Sequence, residues 1–145
     1  MGSRTQPHSA STKARRAGQI LSGLAVLFLT WDGVIKLMTI APVVEGFTRL
    51  GYPVSVAVAI GILELVCVAV YVTPRTSALG AVLLTGFLGG AISTHVRVED
   101  PLLTHTFFPI YIGLLIWGGL WLRNDRLRAF TKEALGAQLA TNAKL

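Results

Sequence analysis

The strongest constraint on what this chain can fold into is the spacing of its ionisable residues. Between Arg49 and Arg75 the one acid or base is Glu64, between Arg75 and Arg97 it is His95, and between Asp100 and Arg123 it is His105. An earlier apolar run begins at Gly18 and continues past Asp32 and Lys36. Runs of about 20 predominantly apolar residues are what a helix needs to cross a hydrocarbon core of about 30 Å. Charged residues make up 14% of the 145, against about 25% in soluble domains. The expected fold is therefore all-α, a polytopic transmembrane four-helix bundle.

The four spans are expected at residues 18–40, 53–72, 76–96 and 102–122. Between the first two, Pro42 opens "PVVEGFTRLGYP", an amphipathic stretch suited to lying on the membrane surface. Pro53 is placed to start the second span, and Pro109 to kink the fourth or give it a non-helical start. Gly86, Gly89, Gly90, Gly113, Gly118 and Gly119 would let backbones approach closely, within one bundle in preference to a seam between copies. Trp31, Trp117, Trp121 and Tyr52 suit interfacial anchors or bundle filler.

Residues 1–17 are small, polar and basic and are expected to form a disordered tail, with 18–128 the membrane domain and 129–145 a C-terminal tail. The first apolar run shows no clear small-x-small cleavage site, so it is expected to remain as a span and not to be removed as a signal peptide. Arg4, Lys13, Arg15, Arg16, Arg75, Arg123, Arg126, Arg128 and Lys132 fall on one side of this topology, and Arg49 and Arg97 on the other. The positive-inside rule then puts both termini in the cytoplasm and the protein in the inner (cell) membrane. The net charge of +6 sorts by loop, without interleaved aromatics, so no nucleic acid is expected as a partner. Cys67 stands alone, which excludes a disulfide framework, a CxxC redox pair and a thiolate metal cage.

Asp32 and Lys36, in "TWDGVIKL", are one helical turn apart inside the first apolar run. A span ending at Trp31 would be only about 21 Å long, so the helix must continue and carry both charges into the membrane zone. Each costs at least about 2.5 kcal/mol there, and the acid-first i,i+4 spacing lets them pair. In the alternating topology Glu64 falls near mid-membrane, while His95, Arg97, His105 and Tyr111 fall toward the outer side. Thr30, Thr85 and Thr94 could add hydrogen bonds. Ionisable groups converging from four helices point to a site: Asp32, Lys36, Glu64 and His95 as a proton-transfer cluster, and Arg97, His105 and Tyr111 as substrate-binding residues. The His95/His105 spacing matches no standard ligand motif, so neither a metal nor a haem is expected.

"WDGVIK", "GYP", "GILE", "PRTSALGAVLLTGFLGGA", "THVRVEDPL", "FPIYIG" and "WGGLWLR" together resemble the DoxX-like family of small four-helix membrane proteins over roughly residues 18–128. The resemblance implies a four-helix transmembrane bundle and, through the wider DoxX group, an association with quinone-linked oxidoreductase subunits and membrane redox-stress complexes. Its motif positions are Asp32, Lys36, Glu64, His95 and Arg97.

The functional expectation is a redox-associated subunit that binds a quinone or other lipophilic ligand in a polar pocket of the outer half-bundle. The chain holds no electron carrier of its own, so a redox partner protein would supply electrons. The alternatives are a non-catalytic accessory or assembly protein and an isomerase-type or hydrolytic membrane enzyme acting on a hydrophobic substrate. Besides the lipid bilayer, copies of the same chain are candidate partners.

Overall fold

The computed structural model describes residues 12–142, which form helices joined by short turns. Among the described residues six α-helices follow one another: α1 Thr12–Met38, α2 Ala41–Arg49, α3 Val56–Val72, α4 Ser77–Arg97, α5 Phe108–Arg123 and α6 Asp125–Asn142. A π-helical turn, Leu102–Thr106, leads into α5. Among the described residues, Thr12–Met38, Ser77–Arg97 and the run Leu102–Arg123 are long and apolar enough to cross a membrane, and Val56–Val72 is a shorter apolar helix. The architecture is that of a polytopic helical membrane protein.

The long helices close into a ring. α1 packs between α3 and α5, and α4 closes the far side against the same two helices. Neighbours in the ring run antiparallel, since Gly18 lies against Leu122 and Arg123, Gly33 against Leu65, and Gly80 against Tyr71. The ring interior holds Leu29, Tyr71, Leu84, Ile116 and Leu120, all nearly inaccessible. Its outer face is equally apolar: Leu27 and Leu103 are 70% exposed and Leu114 is 66% exposed. Helices apolar all round are stable only where the surroundings are apolar too, which is the condition inside a bilayer. There, association depends on close packing and interhelical hydrogen bonds, because lipid tails are as apolar as leucine.

Several boundaries differ from those expected. α1 begins at Thr12, so residues 12–17 of the basic segment continue the first span as helix and are not a disordered tail. Residues 1–11 of that tail, and 143–145 of the C-terminal one, lie outside the described residues. The segment after α5 is helical as far as Asn142. α3 starts at Val56, and Pro53 instead opens a turn whose carbonyl accepts from the Val56 N–H at 3.1 Å. Pro109 sits in the first turn of α5, where its missing N–H costs nothing. At the expected kink or non-helical start, the segment before Pro109 is a π-helical turn, with the Phe107 N–H donating to the Leu102 carbonyl at 2.7 Å.

The glycines also sort differently. A Cβ added at Gly86, Gly89 or Gly90 would meet nothing within 4 Å, so these residues face outward and make no packing contact inside the bundle. Close approach does occur at Gly119, as expected, and also at Gly18, Gly33, Gly61 and Gly80. α2 lays Val43 and Phe47 against Ala57 of α3, as its amphipathic pattern requires.

Because neighbouring spans alternate in direction, Lys13, Arg15 and Arg16 of α1, Arg75 of the α3–α4 turn, and Arg123, Arg126, Arg128 and Lys132 collect at one end of the bundle. The opposite end carries α2, the end of α4 and the π-helical turn.

Candidate functional site: a charged triad and a separate histidine cluster

The first constellation is built by α1 and α3. One turn of α1 aligns Asp32 and Lys36, and Lys36 Nζ donates to Asp32 Oδ2. Lys36 also donates to Glu64 Oε2 on α3 at 2.8 Å. Backbone contact makes this reach short: a Cβ on Gly61 would lie 2.8 Å from the Gly33 carbonyl oxygen and 3.0 Å from Lys36 Cβ. Glycines at both positions let the helices touch, and Lys36 then lies directly against the α3 turn that carries Glu64.

The Glu64 side chain is fully buried, that of Lys36 is 14% exposed and that of Asp32 is 33% exposed. Polarity thus grades from the bundle interior to its surface along three linked groups. Two carboxyl groups and one ammonium leave one negative charge when all are ionised. Glu64 Oε1 is buried and has no hydrogen-bond partner among the described residues. The Lys36 ammonium lies 5.8 Å from the centre of the Phe87 ring, which brings α4 to the rim of the triad.

The second constellation lies at the end away from the basic residues. Asp100, in the loop after α4, is its hub: Arg49 Nη1 donates to Oδ1 at 2.7 Å, and the His95 Nδ1–H donates to Oδ2 at 2.6 Å. The Asp100 N–H donates to the His95 carbonyl, and its own carbonyl accepts from Thr106 Oγ1 at 3.2 Å. The hydrogen bond from His95 is the main reason the Asp100 carboxyl is held below the usual carboxylate range, with Arg49 adding to it and burial opposing it. The His105 ring centre lies 6.0 Å from that of His95, and His105 Nδ1 is hydrogen-bonded to Thr104 Oγ1 at 2.9 Å.

The residues singled out in the sequence therefore divide. Asp32, Lys36 and Glu64 come together, His95 and His105 form a separate pair, and no hydrogen bond or ion pair among the described residues joins the two groups. Arg97 belongs to neither. It donates to the Leu50 carbonyl and lies over the Tyr52 ring at 5.4 Å, which clamps the turn after α2. Tyr111 is 47% exposed on the outside of α5. Thr85 accepts from Trp117 Nε1 at 2.9 Å, and Thr94 pairs with Tyr52 at 3.2 Å. Among the described residues no group of three or more His, Cys, Asp or Glu is placed to hold a metal ion.

Sequence reasoning missed Asp100 as the organiser of the histidines, although an acid before Pro101 and between two histidines was a usable signal. It also missed Tyr71, fully buried toward the basic end. Its hydroxyl donates to the Ile116 carbonyl at 2.9 Å and accepts from Ser22 Oγ at 2.9 Å.

A ring of antiparallel apolar helices with a charged triad inside it defines a small multi-pass membrane protein. The sequence pattern of the DoxX-like family matches residues 20–119, and the chain belongs to that family. Comparison with curated proteins and with solved structures gave no match.

Proposed function

We propose that the Asp32–Lys36–Glu64 triad is the working centre of this DoxX-like membrane protein, and that it binds a lipophilic carbonyl compound of the quinone class. The observation that carries this reading is Glu64: fully buried, halfway along α3, with one carboxyl oxygen unpartnered beside a lysine ammonium. Such a group is expensive in a membrane interior and is by default a functional candidate. The donor set fits a carbonyl. Two of the three Lys36 N–H groups go to Asp32 and Glu64, and the third is free in the hydrogen-bond geometry to reach a ligand oxygen.

A quinone supplies two-electron, two-proton chemistry when bound. The chain's own contribution is to orient the carbonyl with Lys36 and to hold or pass protons between Glu64 and the more exposed Asp32. Electrons come from a redox partner protein, because the lone Cys67 offers no dithiol. The basic end of the bundle faces the cytoplasm of the cell by the positive-inside rule, and the triad then lies in the outer half of the membrane.

A second reading rests on a specific observation, the Gly33–Gly61 contact beside the triad. A mutually neutralising salt bridge at a point of closest helix approach can serve purely to set the register of α1 on α3 in an accessory protein.

One experiment separates them. Organic extracts of detergent-purified protein are analysed for quinones, for the parent chain and for Glu64→Gln. Near-stoichiometric quinone in the parent and its loss from a folded Glu64→Gln variant support the ligand-binding reading. A parent without quinone, and a variant altered only in stability, would leave the register role.

A further inference from the structure

The basic end of the bundle contains a cleft of about 220 Å³ that the triad does not use. It lies between α1 and α3 and is closed by the last residue of α5, with Gln19, Ser22, Val26, Tyr71, Val72 and Arg123 in its walls. The Arg123 guanidinium lies 5.0 Å from the centre of the Tyr71 ring. That contact orients it but leaves its N–H groups unsatisfied: Nε and Nη2 are buried and have no hydrogen-bond partner among the described residues. Buried guanidinium donors without an acceptor are costly, and each calls for a missing partner.

The neighbouring hydroxyls make no hydrogen bond with it, and they have no proton to offer an incoming group: the Tyr71 proton goes to the Ile116 carbonyl, so the Ser22 proton goes to Tyr71. The donors left to face an incoming group are Arg123 and the Gln19 amide. Cationic forked donors with one neutral amide beside them select an oxyanion, and guanidinium geometry matches phosphate.

The depth of the cleft narrows the choice further. Arg123 ends its span and lies beside Gly18, at the level where Lys13, Arg15 and Arg16 leave the apolar run. That is headgroup depth. Beyond it, the cleft walls turn apolar at Val26 and Val72, and Ile20 and Leu27 continue an exposed apolar surface down α1. A phosphate with a hydrocarbon chain attached satisfies both halves.

We propose that this cleft is a binding site for an anionic phospholipid, with the phosphate on Arg123 and Gln19 and an acyl chain running past Val26. The site is separate from the triad and does not depend on what the triad binds.

The test uses the full chain, stripped of lipid in detergent, with phosphatidylglycerol, phosphatidylcholine or millimolar inorganic phosphate added, read by native mass spectrometry and thermal unfolding. Phosphatidylglycerol is expected to bind about fivefold to tenfold more tightly than phosphatidylcholine and to raise the unfolding temperature, while inorganic phosphate does neither. Arg123→Gln should abolish the preference and Arg123→Lys should keep only part of it. Arg75→Gln, which removes an exposed charge at the same end, should leave it intact.

Equal binding of the two lipids, or an equal loss with Arg75→Gln, would overturn the site in favour of diffuse attraction. Binding of inorganic phosphate as tight as that of the lipid would overturn the lipid as occupant. A photoactivatable phosphatidylglycerol on the parent chain tests the site even if Arg123→Gln fails to fold. Labelling within residues 19–26 or at Tyr71 and Val72 supports the site, and labelling confined to α4 or to the opposite end of the bundle rejects it.

Discussion

Lys36 donates to Glu64 at 2.8 Å across the α1–α3 contact, although 28 residues of chain separate them. The pair exists because Gly33 and Gly61 remove the side chains that would hold the two helices apart. Stability and the integrity of the triad are therefore coupled through two residues that carry no charge.

Removing the lysine should cost more than removing the whole triad. Lys36→Met leaves Glu64 buried beside Asp32 with no counter-charge, and breaking a buried ion pair in this way costs about 3–5 kcal/mol. The triple variant Asp32→Asn, Lys36→Met, Glu64→Gln leaves no charge behind and should recover most of that loss. Thermal unfolding of the two variants in one detergent checks the order, and equal losses would show that the triad is not an electrostatic unit.

Two glycine substitutions should differ sharply. Gly61→Ala places a Cβ 2.8 Å from the Gly33 carbonyl oxygen, and overpacking of this kind typically costs about 1–3 kcal/mol. Gly86→Ala meets nothing within 4 Å and should be neutral or slightly stabilising through its helix propensity. Melting temperatures decide the matter, and a larger loss at Gly86 would contradict the outward orientation of that face of α4.

Asp100 predicts a specific acid sensitivity. Its folded-state carboxyl ionises below the usual range because of His95 and Arg49. A carboxyl lowered in this way adds stability above its unfolded pKa of about 3.9 and loses it as pH falls through the folded value. The parent should lose stability on acidification below about pH 4. Asp100→Asn should be less stable at neutral pH and flatter across the acid range. Parallel pH profiles for the two proteins would refute the assignment.

At the basic end, Tyr71→Phe removes a hydroxyl that serves both Ser22 and the Ile116 carbonyl. The expected loss is about 1 kcal/mol, since the buried Ser22 hydroxyl loses its acceptor while the Ile116 carbonyl keeps its helix partner within α5. Ser22→Ala leaves the Tyr71–Ile116 bond in place and should cost less. Unfolding measurements on the two variants test the ranking.

Much of the fold was legible in the chain because lipid imposes a coarse rule. Every span must be about 20 residues long and nearly free of charge, and that pattern can be counted in the sequence. The amphipathic helix after Pro42, the irregular start before Pro109 and the pairing of Asp32 with Lys36 follow from local spacing, which the backbone geometry converts directly into proximity. Helix boundaries were less legible, since residues 12–17 are polar and basic yet extend α1.

The face that each residue presents could not be read in this way. When a helix is apolar all round, its sequence carries no moment to show which side meets a neighbour. Gly86 and Gly90 thus face outward while Gly33 and Gly61 make the close contact. For the same reason the ionisable residues divide into a triad and a histidine cluster at the end away from the basic residues, instead of converging on one pocket. The sequence by itself determined that the chain is a membrane bundle of the DoxX-like family and which of its charges lie in the apolar zone. Only the tertiary structure decided that Lys36 belongs to Glu64, that Asp100 organises the histidines, and that Arg123 closes a cleft over Tyr71, because helix rotation and close packing are set by contacts between distant segments.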